Sequence, residues 1–220
     1  MASSSSLATT RTSHDDPWPG EDSVNPIHRV YCRSHRWRSR LEDLLPWATD
    51  GVALSGAAVL ELGSGPGLTT DWLRSRTGSL VAVEQNKSDA ESLRRRAPDV
   101  EVYHADATAL PFRASTFDTV LCFTMLHHVP STELQDRLFA EAARVLRPGG
   151  TLAGSDSTWS PLLALAHMGD SFQLVDPTHI ESRLHAAGFM TANTETRRGN
   201  FRFVARTPSV SGPPSEHHRA

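Results

Sequence analysis

The chain has 220 residues, 38% of them apolar and 21% charged, which allows one core of several helices packed around a sheet. Its formal net charge of -3 provides no general basic field for nucleic acid or for an anionic membrane surface. Cys32 and Cys122 lack the spacing of a disulfide framework or a zinc site, and neither a membrane span nor a signal-peptide core is visible. We therefore expect a soluble, cytoplasmic protein that binds no nucleic acid and no metal.

Both ends of the chain are polar. Residues 1–23 are rich in Ser, Thr, Pro and Asp and poor in aliphatic side chains, which predicts a disordered leader. The stretch before Asp15 contains Arg11 and no acid, so an organelle transit peptide is the alternative, although the Arg-rich amphipathic pattern is missing. Residues 208–220 are predicted to be a disordered tail.

A helix is predicted between the leader and the core, within residues 24–50. Asn25 is the expected cap, Pro26 the first helical residue, and the helix should end near Leu45 because Pro46 follows. Its apolar face holds Val30, Trp37, Leu41, Leu44 and Leu45. An adjacent basic stripe holds Arg29, Arg33, Arg36 and Arg40. This stripe is either a solvated surface that covers the sheet edge or a surface that faces a ligand.

The turn after the first predicted strand is the most informative segment. Its strand carries Glu61 into a turn that has glycines at positions 63, 65 and 67. Glycine allows the backbone to approach a ligand closely and to adopt positive φ before a predicted helix over 68–74. A dinucleotide fingerprint would place its third glycine where this chain has Leu68. Because Glu61 could pair with an ammonium group, we expect a charged ligand with an amino-acid-like end.

The turn resembles the first motif of the class I S-adenosylmethionine-dependent methyltransferases, which reads acid-x-Gly-x-Gly-x-Gly after strand one. Glu61, Gly63, Gly65 and Gly67 match this motif position by position. The resemblance implies that the turn binds S-adenosylmethionine, which leaves as S-adenosylhomocysteine. The turn residues expected to bind this cofactor are Glu61, Gly63, Ser64, Gly65, Pro66 and Gly67.

Strand two, predicted over 80–84, ends in Glu84, which lies 19 residues after Gly65. An adenosine-binding fold places a carboxylate at about this spacing to accept hydrogen bonds from both ribose hydroxyls. We therefore expect Glu84 to bind the cofactor ribose, with Gln85 beside it. The alternative is a solvated acid at the end of a strand.

The next predicted elements are a polar helix over 87–96 and a short strand over 100–104. After that strand, the resemblance places Asp106 at the amino group of the cofactor adenine, with Ala107 also in the binding site. Residues 117–123 form a nearly continuous apolar run, which predicts a central parallel strand buried on both faces.

The carboxyl end of this fourth strand should meet both cofactor and acceptor, because ligands of open parallel sheets bind there. We expect Phe123 and Thr124 to contact the cofactor. His127, His128 and Asp156 are the candidate catalytic residues, since an imidazole could act as a general base at neutral pH. Each has a structural alternative. His128 would hydrogen-bond beneath the cofactor, His127 would pack or face solvent, and Asp156 would be a turn acid.

Strand five is predicted over 151–156, after a helix that is capped by Ser131 or Thr132 and ends near Val145. The stretch Arg-Val-Leu-Arg-Pro-Gly-Gly between that helix and the strand is a further match to the family. Residues 158–175 are expected either to wall an acceptor pocket or to close the core.

Asp176 is predicted to cap a helix that has Pro177 as its first residue and Gly188 just past its end. The last two strands are predicted over 190–196 and 200–205, joined as an edge hairpin. The predicted fold is a Rossmann-like three-layer α/β sandwich, with a seven-stranded, mostly parallel sheet and an antiparallel last strand.

The resemblance covers about residues 55–206, within a predicted methyltransferase domain over 51–207. It is strongest to the group that contains ubiquinone and menaquinone methyltransferases, also described as methyltransferase type 11. It implies methyl transfer to a small-molecule acceptor by a monomer or homodimer. Related enzymes use N-terminal helices as lids, which implies that residues 24–50 cover the site, with Tyr31 facing the cofactor carboxylate or an anionic acceptor. Two alternatives are a catalytically silent, methyltransferase-like binding protein, which would keep the sheet and lose the cofactor contacts, and a nicotinamide-dependent oxidoreductase.

Overall fold

The structure is a computed structural model that describes residue 30, residues 34–158 and residues 173–209. Its strands are β1 (Ala58–Leu62), β2 (Ser79–Glu84), β3 (Glu101–His104), β4 (Phe117–Phe123), β5 (Leu146–Ser157), β6 (Thr191–Arg197) and β7 (Asn200–Arg206). Its helices are α1 (His35–Ala48), α2 (Leu68–Leu73), α3 (Lys87–Arg96), α4 (Thr132–Val145) and α5 (Ile180–Ala186), with 3₁₀ turns at Leu126–His128 and Pro177–His179. Within these ranges, no helix is long and apolar enough to cross a membrane.

The seven strands form one sheet in the order β3-β2-β1-β4-β5-β7-β6. Neighbouring strands are parallel except at β7, which runs antiparallel to both β5 and β6. The chain moves outward from β1 to β3 and then returns to the other side of β1 with β4. This reversal opens a crevice at the carboxyl ends of β1 and β4, where open α/β sheets bind ligands. The predicted fold class is confirmed.

Two apolar layers cover the two faces of the sheet, because successive residues of a strand point to opposite faces. Leu60 and Val120 belong to the layer that includes Leu138 and Phe139 of α4. Val59 and Leu121 belong to the other layer, which α1, α2 and α3 cover with side chains that include Leu41, Leu73 and Leu93. Burial of each such side chain stabilises the fold by about 1.5 to 3 kcal/mol, so the crevice rests on a closed core.

The N-terminal helix ends later than predicted. It runs to Ala48 and contains Pro46, whereas the sequence favoured an end near Leu45. Both Leu45 and Ala48 are fully buried, and the hydroxyl of Thr49 donates to the Leu45 carbonyl at 2.8 Å. Burial of the last turn thus compensates for the hydrogen bond that proline cannot donate.

The helix also starts later than predicted, at His35 with Ser34 as its cap and not near Asn25, because the Ser34 hydroxyl accepts from the Trp37 N–H at 3.2 Å. The other predicted residues of its first turns, Asn25, Pro26, Arg29, Tyr31 and Arg33, lie outside the described residues.

Two other boundaries also differ from the prediction. β5 starts at Leu146 and not at residue 151, because Leu146 pairs with Phe117 before the register shifts. Asp176 accepts a hydrogen bond from the Thr178 N–H at 2.9 Å, as a cap should, but the first turn is 3₁₀ and α5 begins only at Ile180. Residues 159–172, most of the predicted acceptor wall, lie outside the described residues. The division of the chain into leader, lid, domain and tail stays a prediction.

Candidate functional site

The glycine turn leaves β1 and is tied to the neighbouring strand. The N–H groups of Gly63 and Ser64 both donate to the carbonyl of Val83 in β2, at 2.9 and 3.3 Å. The Gly67 N–H then donates back to the Ser64 carbonyl at 2.9 Å, which closes the turn before α2. All three glycines have positive φ, at 68°, 51° and 82° in chain order, a conformation that glycine adopts without strain.

Only one of the three glycines borders open space. A Cβ at Gly63 would lie 2.8 Å from Cβ of Met125, and one at Gly67 would collide with Leu93 and Arg96. A Cβ at Gly65 would meet no protein atom within 4 Å. The backbone at Gly65 is therefore the part of the turn that a ligand can approach closely.

Glu84 reaches from the end of β2 to the glycine turn. One carboxylate oxygen accepts from the Gly65 N–H at 2.6 Å, and the other accepts from the Asn86 N–H at 2.8 Å. The side chain is 8% exposed, and this burial raises its pKa against the lowering effect of the backbone donors. Gln85, next in the chain, is half-buried. The structure thus brings together the predicted ribose-binding acid and the predicted cofactor turn.

Glu61 is more deeply enclosed than the sequence indicated. It is 1% exposed, and its two oxygens accept from the hydroxyls of Thr69 and Thr70, the latter at 2.6 Å. Burial raises its pKa to about 7, and the two hydroxyl donors oppose that rise. Neither threonine was predicted from the sequence, although two hydroxyls in the first turn of a helix that follows an acidic strand end were a visible signal.

Asp106 lies on the next loop of the same edge. The N–H of the preceding Ala105 donates to the carbonyl of Glu84 at 3.2 Å, which holds the two predicted cofactor acids at neighbouring strand ends. Its carboxylate accepts from the N–H and the hydroxyl of Thr108 at 2.7 and 2.8 Å. Ala107 is buried and packs in the core layer of α4, so its side chain serves packing.

The segment after β4 turns sharply at the crevice. Phe123 is buried at the end of the strand, and Thr124 has a φ of 51°, where a β-branched residue is strained. The Thr124 N–H donates to the Ser155 carbonyl of β5 at 2.7 Å. This contact fixes the strained residue where β1, β4 and β5 end together, and strain of this kind is often found at functional sites.

His127 and Asp156, predicted separately, form a buried pair. Nδ1 of His127 lies 2.6 Å from Oδ1 of Asp156, and the His127 N–H donates to Oδ2 at 3.1 Å. The residues are 5% and 0% exposed. Gln135 holds the turn by donating to the Leu126 carbonyl at 3.0 Å. These contacts fix the orientation of the His127 ring at the end of β5.

His128 and Ser64 complete the described site. The rings of His127 and His128 lie 4.1 Å apart at 45°, but it is His127 that contacts Asp156. The Ser64 hydroxyl is buried in the glycine turn and has no hydrogen-bond partner in the described part of the chain. The Pro66 carbonyl accepts from Arg96, a residue that the sequence did not indicate. Tyr31 lies outside the described residues.

Comparisons with known proteins agree with this geometry. Residues 60–154 match the model of a family described as a methyltransferase domain. Methyltransferase GfsG of Streptomyces halstedii is 31% identical over 150 residues, which are 65% of this chain and 50% of that protein. Demethylmenaquinone methyltransferase of Renibacterium salmoninarum is 30% identical over 138 residues, which are 63% of this chain and 54% of that protein.

Among solved structures, the PH0226 protein of Pyrococcus horikoshii superimposes with a TM-score of 0.69 at 21% identity, covering 80% of this chain and 94% of that chain. This similarity shows the fold. The chain spans about half the length of the curated relatives it matches. The ordered motifs lie on one sheet edge, and residues 60–154, which carry them, are a methyltransferase domain of the class I S-adenosylmethionine-dependent type.

Proposed function

We propose that the protein binds S-adenosylmethionine at the glycine turn and transfers its methyl group to a small-molecule acceptor. The observation that carries this proposal is the 2.6 Å contact between Glu84 and the Gly65 N–H. It brings the acid at the end of β2 to a turn whose central glycine borders open space. That is the arrangement needed when one ligand carries a ribose and an amino-acid end.

The residues of the turn and its neighbours fit this cofactor. The buried Ser64 hydroxyl makes no hydrogen bond to any described residue, so it offers a polar partner to a ligand in the turn. Glu84 would hold the ribose hydroxyls, and Asp106 the adenine amino group. A carboxylate such as Glu84 beside the turn favours a ligand with ammonium and sulfonium groups. The direct partners of Glu61 are threonine hydroxyls, so we assign it mainly to shaping the turn.

The chain's own part in the chemistry is alignment and proton removal. The cofactor, when bound, supplies a methyl group already activated on sulfonium sulfur. The protein must place the acceptor in line with that group and exclude water. We propose His127 as the general base, with Asp156 holding its Nδ1 so that Nε2 takes the acceptor proton. Because the Asp156 carboxylate contacts His127, we assign His128 a structural role.

We also propose that α1 covers the acceptor side of the site. Arg40 of α1 donates to the side-chain oxygen of Asn200 at 3.5 Å, and the Ser157 hydroxyl reaches the same oxygen at 3.5 Å. Asn200 begins β7, opposite Ser157 at the end of β5. The far end of α1 is anchored where Trp47 donates to Glu195 at 3.2 Å. Arg40 is thus placed beside the end of β5, where an acceptor would lie.

A quinone-like ring is one acceptor class to test, because one relative is named for demethylmenaquinone methylation. The cytoplasmic location and the monomeric or dimeric state stay predictions.

Calorimetric titration tests the proposal. The purified full-length chain is titrated with S-adenosylmethionine, S-adenosylhomocysteine, NAD and NADP. We expect micromolar binding of the two sulfur ligands and none of the dinucleotides. Binding of a dinucleotide alone would support an oxidoreductase. Absence of all binding would support a silent relative. Transfer of a labelled methyl group to a panel of phenols, quinols and carboxylic acids then identifies the acceptor class.

A further inference from the structure

One arginine joins the glycine turn to the two helices beside it. Arg96 is the last residue of α3, and its Nη1 donates to both carboxylate oxygens of Asp71 in α2, at 2.6 and 2.7 Å. Its Nη2 donates to the carbonyls of Pro66 and Gly67, at 2.9 and 3.2 Å. A single guanidinium therefore holds the glycine turn, the helix that follows it and the end of α3. We call these contacts of Arg96 the clasp.

The clasp sets the direction of two peptide groups in the turn. In a planar trans peptide, the carbonyl and the following N–H point in opposite directions. With the Pro66 and Gly67 carbonyls bonded to Arg96, the N–H groups of Gly67 and Leu68 are turned away from it. A side chain at Gly67 would collide with the guanidinium, so the positive φ of 82° there and the arginine contact depend on each other.

The clasp adds structure without adding net charge. Asp71 neutralises Arg96 in an ion pair in which Nη1 contacts both carboxylate oxygens, so the turn gains a rigid support but no net positive charge from it. Arg96 therefore does not cancel the attraction between Glu84, which contacts the turn, and a positively charged ligand. A lysine could not do the same, because one ammonium group cannot reproduce the planar fork of donors.

We propose that Arg96 is a positioning residue that sets the cofactor affinity of the glycine turn without contacting the cofactor. The inference rests on the proposed function. Without the clasp, the turn would have to be ordered when the ligand binds, and that ordering subtracts from affinity.

The chain provides a matched control in a second ion pair between the same parts of the fold. Arg74, which caps α2, pairs with Asp99 just after α3, and its Nε donates to that carboxylate at 3.0 Å. The exposed fractions of the Arg74 and Arg96 side chains are similar, at 34% and 40%. The Arg74 guanidinium donates to Asp99 rather than to the glycine turn, so its loss removes an inter-element ion pair and leaves the turn alone.

The test compares Arg96→Ala, Arg96→Lys and Arg74→Ala in the full chain, using calorimetry with S-adenosylhomocysteine and thermal unfolding. We expect both Arg96 variants to bind roughly tenfold more weakly, a size set by lost charge-assisted hydrogen bonds that are partly solvent-screened. Arg74→Ala should bind within about twofold of wild type while its melting temperature falls as much as that of Arg96→Ala. The separation of affinity from stability is the signature that a purely structural role would not give.

Three results would overturn the inference. Wild-type affinity in Arg96→Ala would show that the clasp does not matter for binding, and equal weakening in Arg74→Ala would show a general structural effect. Full affinity in Arg96→Lys would remove the role of the guanidinium fork. If the wild-type chain binds no S-adenosylhomocysteine, the proposed function fails and this inference fails with it. Failure of the inference alone is seen when the wild-type chain binds and the variants do not differ as described.

Discussion

The proposed cofactor half of the site, which is the glycine turn with Glu84 and Arg96, and the proposed acceptor half, which is His127 with Asp156, use different chemical groups. In the cofactor half, Glu84 contacts the chain through the backbone N–H groups of Gly65 and Asn86, and Arg96 grips backbone carbonyls. In the acceptor half, His127 and Asp156 meet through their side chains in a buried pair. Backbone groups of the glycine turn can bind and orient a ligand, whereas the imidazole of His127 can also accept a proton. Changes in the first half should therefore alter affinity, and changes in the second should alter turnover.

The largest expected effect is in the cofactor half. Gly65→Val should abolish measurable binding of S-adenosylhomocysteine, because the new side chain would fill the open space where a ligand approaches the backbone. Calorimetry measures the binding. Gly51→Val is the matched control, since Gly51 also has positive φ, at +76°, and a Cβ there would meet no atom within 4 Å. Both variants carry backbone strain of about 1 to 2 kcal/mol, but the control should bind normally. Unchanged affinity in Gly65→Val would contradict the placement of the ligand.

The next effect tests the acceptor half. Asp156→Asn and His127→Gln should each lower kcat by roughly 10² to 10⁴-fold at saturating cofactor, the usual contribution of general base catalysis. Initial rates with an identified acceptor measure this, and calorimetry should show cofactor affinity near that of wild type. His128→Gln is the control and should retain most of the turnover. A larger loss in His128→Gln than in His127→Gln would reassign the base.

Glu84→Ala tests the cofactor half through its acid, where a loss of binding without a change in the acceptor half is expected. It should weaken S-adenosylhomocysteine binding by about 2 to 5 kcal/mol, the range for truncating one partner of a buried charged contact. Glu91→Ala, an exposed acid on α3, is the control. Calorimetry decides, and a loss below about 0.5 kcal/mol would mean that Glu84 supports only the turn.

The smallest effect concerns stability and pH. The pKa of Glu61 is raised from 4.5 to about 7, mainly by burial. Between these values the unfolded state is ionised and the folded state keeps its proton, so stability falls as pH rises from about 4.5 to 7 and levels off above. The expected contribution is on the order of 3 kcal/mol or less.

Urea unfolding of wild type and Glu61→Gln at pH 5 and pH 8 isolates this contribution, because other titrating groups cancel in the comparison. Glu61→Gln should gain stability relative to wild type as the pH rises. A constant difference between the two proteins would mean that Glu61 does not titrate in this range.

The cofactor half was largely predictable from local sequence. The glycine spacing and the position of Glu84 on the next strand follow from a βαβ unit, and the structure joins them as expected. The contacts that support the turn were not predicted, although the two hydroxyls after Glu61 were a visible signal. Thr69 and Thr70 bond Glu61 only because α2 folds back over β1, and Arg96 reaches the Pro66 carbonyl across 30 residues of sequence. Such contacts depend on helix packing, which a sequence pattern does not encode.

In the acceptor half, the residues were predicted but their contact was not. His127 and Asp156 were each recognised as candidates, but nothing in the sequence showed that they form a pair. Their contact depends on the register of β4 and β5, in which Phe123 lies opposite Ser155. A shift by one residue would turn Asp156 to the other face of the sheet. The late end of α1 at Ala48 was mispredicted for a related reason, because burial outweighed the local signal of Pro46.

The buried thiol of Cys122 can report how often the centre of the sheet opens. It lies in β4 with no exposed surface, and burial, with the nearby Asp156 carboxylate, raises the pKa of its thiol. Since the thiolate is the reactive form, alkylating reagents and oxidants should be unable to modify Cys122 while the sheet is closed. Its rate of alkylation, measured in a Cys32→Ser background at reagent concentrations high enough for alkylation to outpace reclosing, gives the rate at which β4 opens to water. The Cys122 sulfur thus reports how often β4 separates from its neighbours β1 and β5.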